Sequence, residues 1–342
     1  MLILITQEID THSDWVEAEC RRRGEEYLRL CTEQFPTSVQ ISTEPAHHHF
    51  QGEICVEGRS YPLSEVVGLW YRRPGMVELD PSIPEGQRPF SYRESQEALT
   101  GLYRVLYDRR WVSPPHIVAA AGHKIHQLRL AKELGFTVAP TLVTNDPAKA
   151  LSFFEACRGQ MIYKPLRFVP ITDDDGNAYG IYTTLVTEET LDASLDSIAL
   201  APCLFQQLIP KDYEIRVNII GNRVWASSIH SQESEATQLD CRHDLETVRQ
   251  EAIWLPPEIE RLCLRMKQRL RLNMCNIDLI VTPEGEYLFL EVNPNGQWAW
   301  IEELTGLPLR QALVDELLGV DTLATHPYLT RESLQFETEL AS

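Results

Sequence analysis

Late in the chain, two carboxylates and an amide have the types and spacing to hold a divalent cation. They belong to Asn276-Ile-Asp-Leu-Ile-Val-Thr-Pro-Glu-Gly-Glu-Tyr-Leu-Phe-Leu-Glu-Val-Asn-Pro-Asn295. Pro283-Glu-Gly-Glu286 is a turn signal between two β-prone runs, so the segment reads as a hairpin. With Thr282 paired to Tyr287, Asp278 falls directly across from Glu291. Alternation then puts Ile277, Leu279, Val281, Leu288, Leu290 and Val292 on one face, which must pack on a core. Asp278, Glu291 and Asn293 share the other face. Opposed carboxylates repel and weaken a sheet. A cation between them removes the repulsion, and carboxylate and amide oxygens are hard ligands suited to Mg²⁺ that takes its other ligands from nucleotide phosphates. Asn293-Pro-Asn295 ends the strand and keeps an amide beside Glu291, which favours the metal over a merely solvated face.

A second hairpin, Tyr213 to Ser228 with its turn at Gly221-Asn222, divides in the same way. Ile215, Val217, Ile219, Val224 and Ala226 face one side; Glu214, Arg216 and Asn218 face the other. An ordinary half-exposed sheet would show the same pattern. Arg72 and Arg73 end an apolar strand, where α/β folds place ligand groups, and are candidates to hold a substrate carboxylate. His47-His-His49 reads as a polar loop, since adjacent residues rarely converge on one ion. Arg21-Arg-Arg23 closes a helix, where cations favour the dipole.

The elements that must position these groups are those of an α/β protein. A strand at 2–6, a helix from Ser13 to Arg23, and strands near Tyr27–Leu30, Glu53–Glu57 and Val66–Tyr71 form a first domain. A Pro- and Gly-rich loop over Pro74–Pro89 and a helix over Phe90–Asp108 complete it, and Ser113-Pro-Pro115 breaks the chain. Helices at His123–Leu134 and Pro147–Cys157, a strand at Met161–Leu166, an acidic turn at Asp173–Gly176 and a strand at Tyr179–Leu185 follow. The chain then becomes strand-rich, with a helix at Pro257–Leu272 before the metal hairpin. The expected boundaries are 1–115, 116–200 and 201–330, with a tail at 331–342. The 342 residues are 43% hydrophobic, enough for several cores. No run approaches the ~20 apolar residues of a membrane helix, and the apolar N-terminus reads as a strand rather than a signal peptide. Eight scattered cysteines fit reduced thiols in a cytoplasmic protein. A net charge of −19 argues against a nucleic-acid partner.

Taken in order, the residues resemble the ATP-grasp superfamily over nearly the whole chain. The series is Lys124 opening a helix, Lys164 in Ile-Tyr-Lys-Pro165, Phe205-Gln-Gln-Leu-Ile-Pro210, Glu214-Ile-Arg-Val217, then Asp278 and Glu291-Val-Asn293. The resemblance implies an N-terminal α/β domain followed by central and C-terminal domains that hold ATP between them. It implies that Lys124 and Lys164 hold phosphates, that Gln206, Gln207, Leu208 and Ile209 form the adenine hinge, and that Glu214 bonds the ribose. Asp278, Glu291 and Asn293 would hold Mg²⁺. Arg216 and Arg242 would steady the transferring phosphoryl group and the acyl-phosphate. Such catalysis rests on positioning and charge neutralisation, in keeping with the lack of a Ser-His-Asp or Cys-His pattern.

Within that superfamily the chain is most similar to the graspetide (microviridin-type) peptide-maturation ligases. Trp70-Tyr-Arg-Arg-Pro74, His123-Lys-x-x-Gln-Leu-x-x-Ala131, Thr144-Asn-Asp-Pro147, Ser231-Gln-x-Ser234, Asp240-Cys-Arg242 and Phe289-Leu-Glu-Val-Asn-Pro294 carry this resemblance. It implies joining of Asp or Glu side chains of a ribosomal precursor to Thr/Ser hydroxyls or a Lys amine. It also implies docking of a leader segment, and a homodimer. Cys241 stands where relatives have an aromatic. The turn Thr172-Asp-Asp-Asp-Gly-Asn177 is acidic where many ATP-grasp enzymes carry a Gly- and Ser-rich phosphate loop. Asp173, Asp174, Asp175 and Asn177 therefore read either as a leader-docking site or as a solvated hairpin tip. Two other functions stand beside the macrocyclising one: a carboxylate–amine ligase acting on a free amino acid or small amine, and a nucleotide-binding scaffold. The intact lysines and metal set argue against the scaffold.

Overall fold

The computed structural model describes residues 1–45, 50–167, 171–173, 176, 178–244 and 247–320. His47–His49, Asp174, Asp175 and Asn177 lie outside the described residues, as does the expected tail. The chain folds as two compact units, Met1–Pro115 with the chain from Pro308, and His116–Leu307.

In the first unit, β1 (Leu2–Thr6) is a wholly buried run, as a central parallel strand requires. It lies between β2 (Tyr27–Cys31) and β6 (Gly68–Tyr71), and β7 (Arg110–Val112) pairs with β6, all in parallel. Between β2 and β6 the chain adds an antiparallel sheet of β3 (Val39–Pro45), β4 (Phe50–Val56) and β5 (Arg59–Pro62). Helix α1 (Thr11–Arg23) starts at Asp10, whose side chain accepts the Ser13 amide, and stops at Gly24 in the left-handed region, φ 74°. Helix α2 spans Arg88–Val105. The helix Leu309–Leu318 packs on α1, β6 and β7, and Arg23 Nη1 meets Asp315 Oδ1 at 2.6 Å. The sequence reading has no helix here and sets these residues within a C-terminal domain of 201–330. The helix belongs instead to the N-terminal unit, because its apolar face, including Leu309, Leu313 and Leu317, is buried there.

The second unit opens with α3 (Pro115–Ala121) at its border and α4 (Lys124–Leu134). Strands β8 (Thr137–Val138) and β9 (Thr141–Thr144), then α5 (Pro147–Ala156) and β10 (Met161–Lys164), follow. The expected strand 179–185 is two strands: β12 (Ala178–Tyr179), paired with β11 (Ile171–Thr172), and β13 (Thr184–Val186), paired with β10. The break falls at Gly180, consistent with its weak strand preference. Helix α6 (Glu188–Leu200), which the sequence reading lacks, starts in a capping box of Thr187 and Thr190. Strand β14 (Cys203–Gln207) joins β9, β10 and β13 in one sheet.

The remaining strands are β15 (Tyr213–Ile220), β16 (Arg223–Ile229), β17 (Gln250–Ile253), β18 (Met274–Val281) and β19 (Tyr287–Asn293). Helix α7 (Pro257–Arg269) lies between β17 and β18, and α8 (Ala299–Thr305) follows β19. The six-stranded sheet runs β17-β16-β15-β18-β19-β8. Ile215, Val217, Ile219, Ile277, Leu279 and Phe289 cover one of its faces and share a core with Leu130 and Leu134 of α4 and with Cys263 and Met266 of α7. The opposite face carries the polar residues of interest.

Candidate nucleotide and metal site

Three neighbouring strands place the polar residues in rows. Arg216 pairs with Asp278, and Asp278 with Glu291; one row along, Asn218 pairs with Asn276 and Asn276 with Asn293. The opposition of Asp278 and Glu291 is the one expected from the sequence, but the register at the turn is not. Val281, rather than Thr282, faces Tyr287, and a β-bulge after Asp278 absorbs the difference. The bulge reverses the parity of the turn half of β19. Phe289 therefore enters the main core, while Leu288 and Leu290 leave the face assigned to them. They gather with Ile280, Ala139 and Ile209 in a small apolar cluster, on the same face as the carboxylates.

Each charged group already has a counter-group. Arg216 Nη1 donates to both oxygens of Asp278 at 2.7 and 2.8 Å, and its Nη2 donates to the Gln297 carbonyl at 3.0 Å. Lys124 Nζ lies 3.0 Å from Glu291 Oε2 and donates to the Pro165 carbonyl at 3.0 Å. Asn293 Nδ2 donates to Asp278 Oδ2 at 2.7 Å and to Glu291 Oε1 at 3.4 Å. Burial pushes the Asp278 carboxyl up against the pull of Arg216. Burial also acts on Glu291, but the Lys124 ammonium, aided by Lys164 and Arg242, holds that carboxyl below its usual value.

Lys164 Nζ donates to Gln206 Oε1 at 3.0 Å, and Gln206 Nε2 donates to Thr141 Oγ1 at 2.9 Å. Burial lowers the Lys164 ammonium to about 8, with Glu291 pulling the other way. In the expected hinge, the Gln207 and Leu208 amides are engaged by the Pro140 and Gln160 carbonyls, while the Ile209 side chain packs on the apolar cluster. Glu214 accepts from Lys211 Nζ at 2.7 Å. Arg242 Nε donates to Asp240 Oδ1 at 2.8 Å, and Asp240 Oδ2 accepts the Thr183 amide at 3.1 Å.

Three further candidates have other surroundings. Arg72 is 5% exposed. Its Nε is 3.5 Å from Asp10 Oδ2 and its Nη2 3.1 Å from His12 Nδ1. The carboxylate it meets is thus that of Asp10, while Arg73 is exposed. Asp173, also exposed, accepts from the Tyr179 hydroxyl at 2.8 Å.

Sequence reasoning passed over Lys211 and Thr141, and quoted Gln127 within the His123–Ala131 pattern without giving it a role. Lys211 had a signal, three residues before Glu214; Gln127 and Thr141 act through contacts distant in sequence.

Among the described residues no three His, Cys, Asp or Glu side chains form a self-sufficient metal cluster. Two carboxylates and one amide oxygen are instead the partial set that fits Mg²⁺, which keeps water and phosphate ligands. Rotation of the Asn293 amide exchanges its nitrogen for the required oxygen.

The first 119 residues match the model of the MvdD pre-ATP grasp domain, and residues 122–317 that of the RimK-like ATP-grasp domain. No curated protein sequence matches the chain. Among solved structures it is similar to a RiPP-associated ATP-grasp ligase of Chryseobacterium gregarium in complex with ADP and a leader and core peptide. The TM-score is 0.87 and the identity 26%, over 94% of this chain and 97% of that one. It is also similar to the macrocyclase MdnC of Microcystis aeruginosa MRC bound with precursor peptide MdnA, with a TM-score of 0.82 and 28% identity over 94% and 99%. For the macrocyclase MdnB of the same organism the TM-score is 0.77 and the identity 30%, over 93% and 98%. With Arg216 and the opposed Asp278 and Glu291 on one sheet face and Lys124 of α4 reaching Glu291, the chain, matched over residues 122–317 by this model, belongs to the RimK-like ATP-grasp family.

Proposed function

We propose that this ATP-grasp ligase activates Asp or Glu side chains of a ribosomal precursor peptide as acyl-phosphates. It then closes them onto Thr/Ser hydroxyls or a Lys amine, giving macrocyclic ω-esters or ω-amides. A carboxylate oxygen attacks the γ-phosphorus of ATP and ADP leaves. The hydroxyl or amine next attacks the acyl carbon, loses its proton, and phosphate leaves, so each ring subtracts one water. The observation that carries the reading is the row Arg216, Asp278, Glu291 with Lys124 on its last member. It gathers both signs of charge around one point, as phosphoryl transfer requires.

In this reading ATP lies between the central (116–200) and C-terminal strands of the second unit. Lys124 and Lys164 hold phosphates, as compact cations do well, and the hinge of Gln206, Gln207, Leu208 and Ile209 borders the adenine. Glu214 turns from Lys211 to the ribose. Asp278, Glu291 and Asn293 would hold Mg²⁺, which neutralises phosphate charge when bound. Arg216 offers its fork to the transferring group, and Arg242 faces the acyl-phosphate. Arg73 takes the carboxylate role expected of the arginine pair, and Asp173–Asp175 with Asn177 receive the leader. We further place the enzyme in the cytoplasm as a homodimer. No helix among the described residues is long and apolar enough to cross a membrane, and light scattering tests the dimer.

Incubation with a precursor peptide, ATP and Mg²⁺ followed by mass spectrometry tests the reading. Loss of water from the peptide with one ADP and one phosphate per ring supports it. Release of AMP, or coupling only to a free amino acid, contradicts it.

A further inference from the structure

Strand β19 is held unequally along its length. Toward the turn it is flanked on both sides, by β18 and, at Leu288 and Phe289, by β8. The β8 pairing ends at Phe289, and the bulge interrupts the β18 ladder just before Glu291. Beyond the bulge Glu291, Val292 and Asn293 pair again with Asp278, Ile277 and Asn276 of β18, but on their other edge β8 no longer reaches them, so that edge of the backbone is left to other partners.

Gln127 is one such partner. It lies in α4, is 1% exposed, and its side-chain amide treats Val292 as a strand neighbour would. Nε2 donates to the Val292 carbonyl at 2.8 Å, and Oε1 accepts the Val292 amide at 2.9 Å. Nε2 also donates to the Ala121 carbonyl at 2.7 Å, so the end of α3 is tied to the same point. A buried amide costs free energy unless each of its groups is bonded, and here both Nε2 hydrogens and Oε1 have backbone partners. One helical turn earlier, on the same side of α4, Lys124 reaches Glu291. A single turn of helix thus grips two successive residues of β19, one by its side chain and one by its backbone.

We infer that Gln127 is a positioning residue: by clamping the backbone of Val292 it fixes where Glu291 and Asn293 stand relative to Asp278. The inference rests on reading those three residues as the Mg²⁺ ligands. Metal-ligating side chains depend on such outer partners, whose loss typically costs about 10- to 100-fold in metal affinity.

The test is calorimetric binding of ADP as Mg²⁺ is titrated, with amide hydrogen exchange at Val292 measured beside it. Gln127→Met keeps the length and removes all three bonds. It is expected to raise the Mg²⁺ concentration needed for half-saturation about 10- to 100-fold and to speed exchange at Val292. Leu134→Ala on the same helix, which destabilises by packing alone, is expected to lower the melting temperature with the Mg²⁺ requirement unchanged. If Gln127→Met does not fold, Gln127→Glu is read in the same way, since it loses the donors but keeps an acceptor for the Val292 amide. A wild-type Mg²⁺ requirement in the Gln127 variant, or a loss matched by Leu134→Ala, overturns the inference. Glu291→Gln separates the two layers. If it shifts the Mg²⁺ requirement and the Gln127 variant does not, only the clamp falls. If neither does, the ligand assignment itself is wrong.

Discussion

Arg72 and Arg216 look alike in sequence, each an arginine at the polar side of an apolar strand, and each meets an aspartate in the structure. Their surroundings differ. Asp10, beside Arg72, also accepts from the Thr6 hydroxyl at 3.1 Å, the Ser13 hydroxyl at 2.6 Å and the Ser13 amide at 3.2 Å. Burial would raise this carboxyl, but His12 and Arg72 hold it well below the carboxylate range. Asp10 is thus bonded from several sides by its own protein and caps α1. Asp278, beside Arg216, instead faces a second carboxylate directly across the sheet, and burial pushes it up. Opposed acids held in place by cations on either flank are poised to exchange partners. The first pair has the surroundings of scaffolding; the second, with two opposed acids between two cations, is the one we propose takes a metal and phosphates.

The largest effect expected from breaking this contrast is at the metal row. Asp278→Asn or Glu291→Gln removes a proposed ligand and relieves repulsion, so turnover falls below detection while the melting temperature holds. Near-normal activity at saturating Mg²⁺ would contradict the assignment.

Arg216→Ala comes next, with kcat falling ~100- to 1,000-fold and KM for ATP moving less, as loss of one preorganised donor does. Arg216→Lys should recover little, because a point charge cannot reproduce the planar fork. Were Arg216 only a sheet support, Arg216→Ala would unfold more easily with normal kcat in the folded fraction.

Arg72→Ala should show that opposite pattern. Breaking a buried pair typically costs about 3–5 kcal/mol, so thermal unfolding should shift down while kcat of the folded enzyme stays put. A large kcat loss at unchanged stability would move Arg72 back to the substrate.

Lys164 gives a smaller, pH-dependent effect. Its folded-state value is depressed to about 8, and the protonated form is the one that attracts phosphate. ATP affinity should therefore be level below that value and weaken as pH rises through it. Lys164→Arg, charged throughout, should flatten the profile; an unchanged alkaline limb in that variant would remove Lys164 as its source.

The smallest effect is expected at the acidic turn. Changing Asp173, Asp174 and Asp175 to Asn should raise KM for the precursor and leave ATP affinity equal or slightly better. Weaker ATP binding with unchanged peptide binding would sink the docking role.

Much of the site was legible because strand alternation is a strict rule. The polar faces of both hairpins and the opposition of Asp278 and Glu291 follow from counting. The bulge did not, because an extra residue in β19 changes no residue type, so Leu288 and Leu290 were placed on the wrong face. Helix α6 had a readable start in Thr187-Glu-Glu-Thr190, but its weakly amphipathic run gave no clear period. The helix Leu309–Leu318 joins the N-terminal core through contacts hundreds of residues apart in sequence, such as Arg23 with Asp315. Gln127 stood in the quoted His123–Ala131 pattern, but its role did not show for the same reason: nothing in the helix marks Val292, 165 residues on, as its partner.

The central claim is that the enzyme passes through an acyl-phosphate of the peptide carboxylate. It is tested most directly by preparing a precursor whose Asp and Glu carboxylates carry heavy oxygen and analysing the phosphate released. The mechanism predicts that one peptide oxygen leaves with each phosphate, because the carboxylate oxygen that attacked phosphorus departs with it. Rings formed with release of wholly unlabelled phosphate would contradict the account.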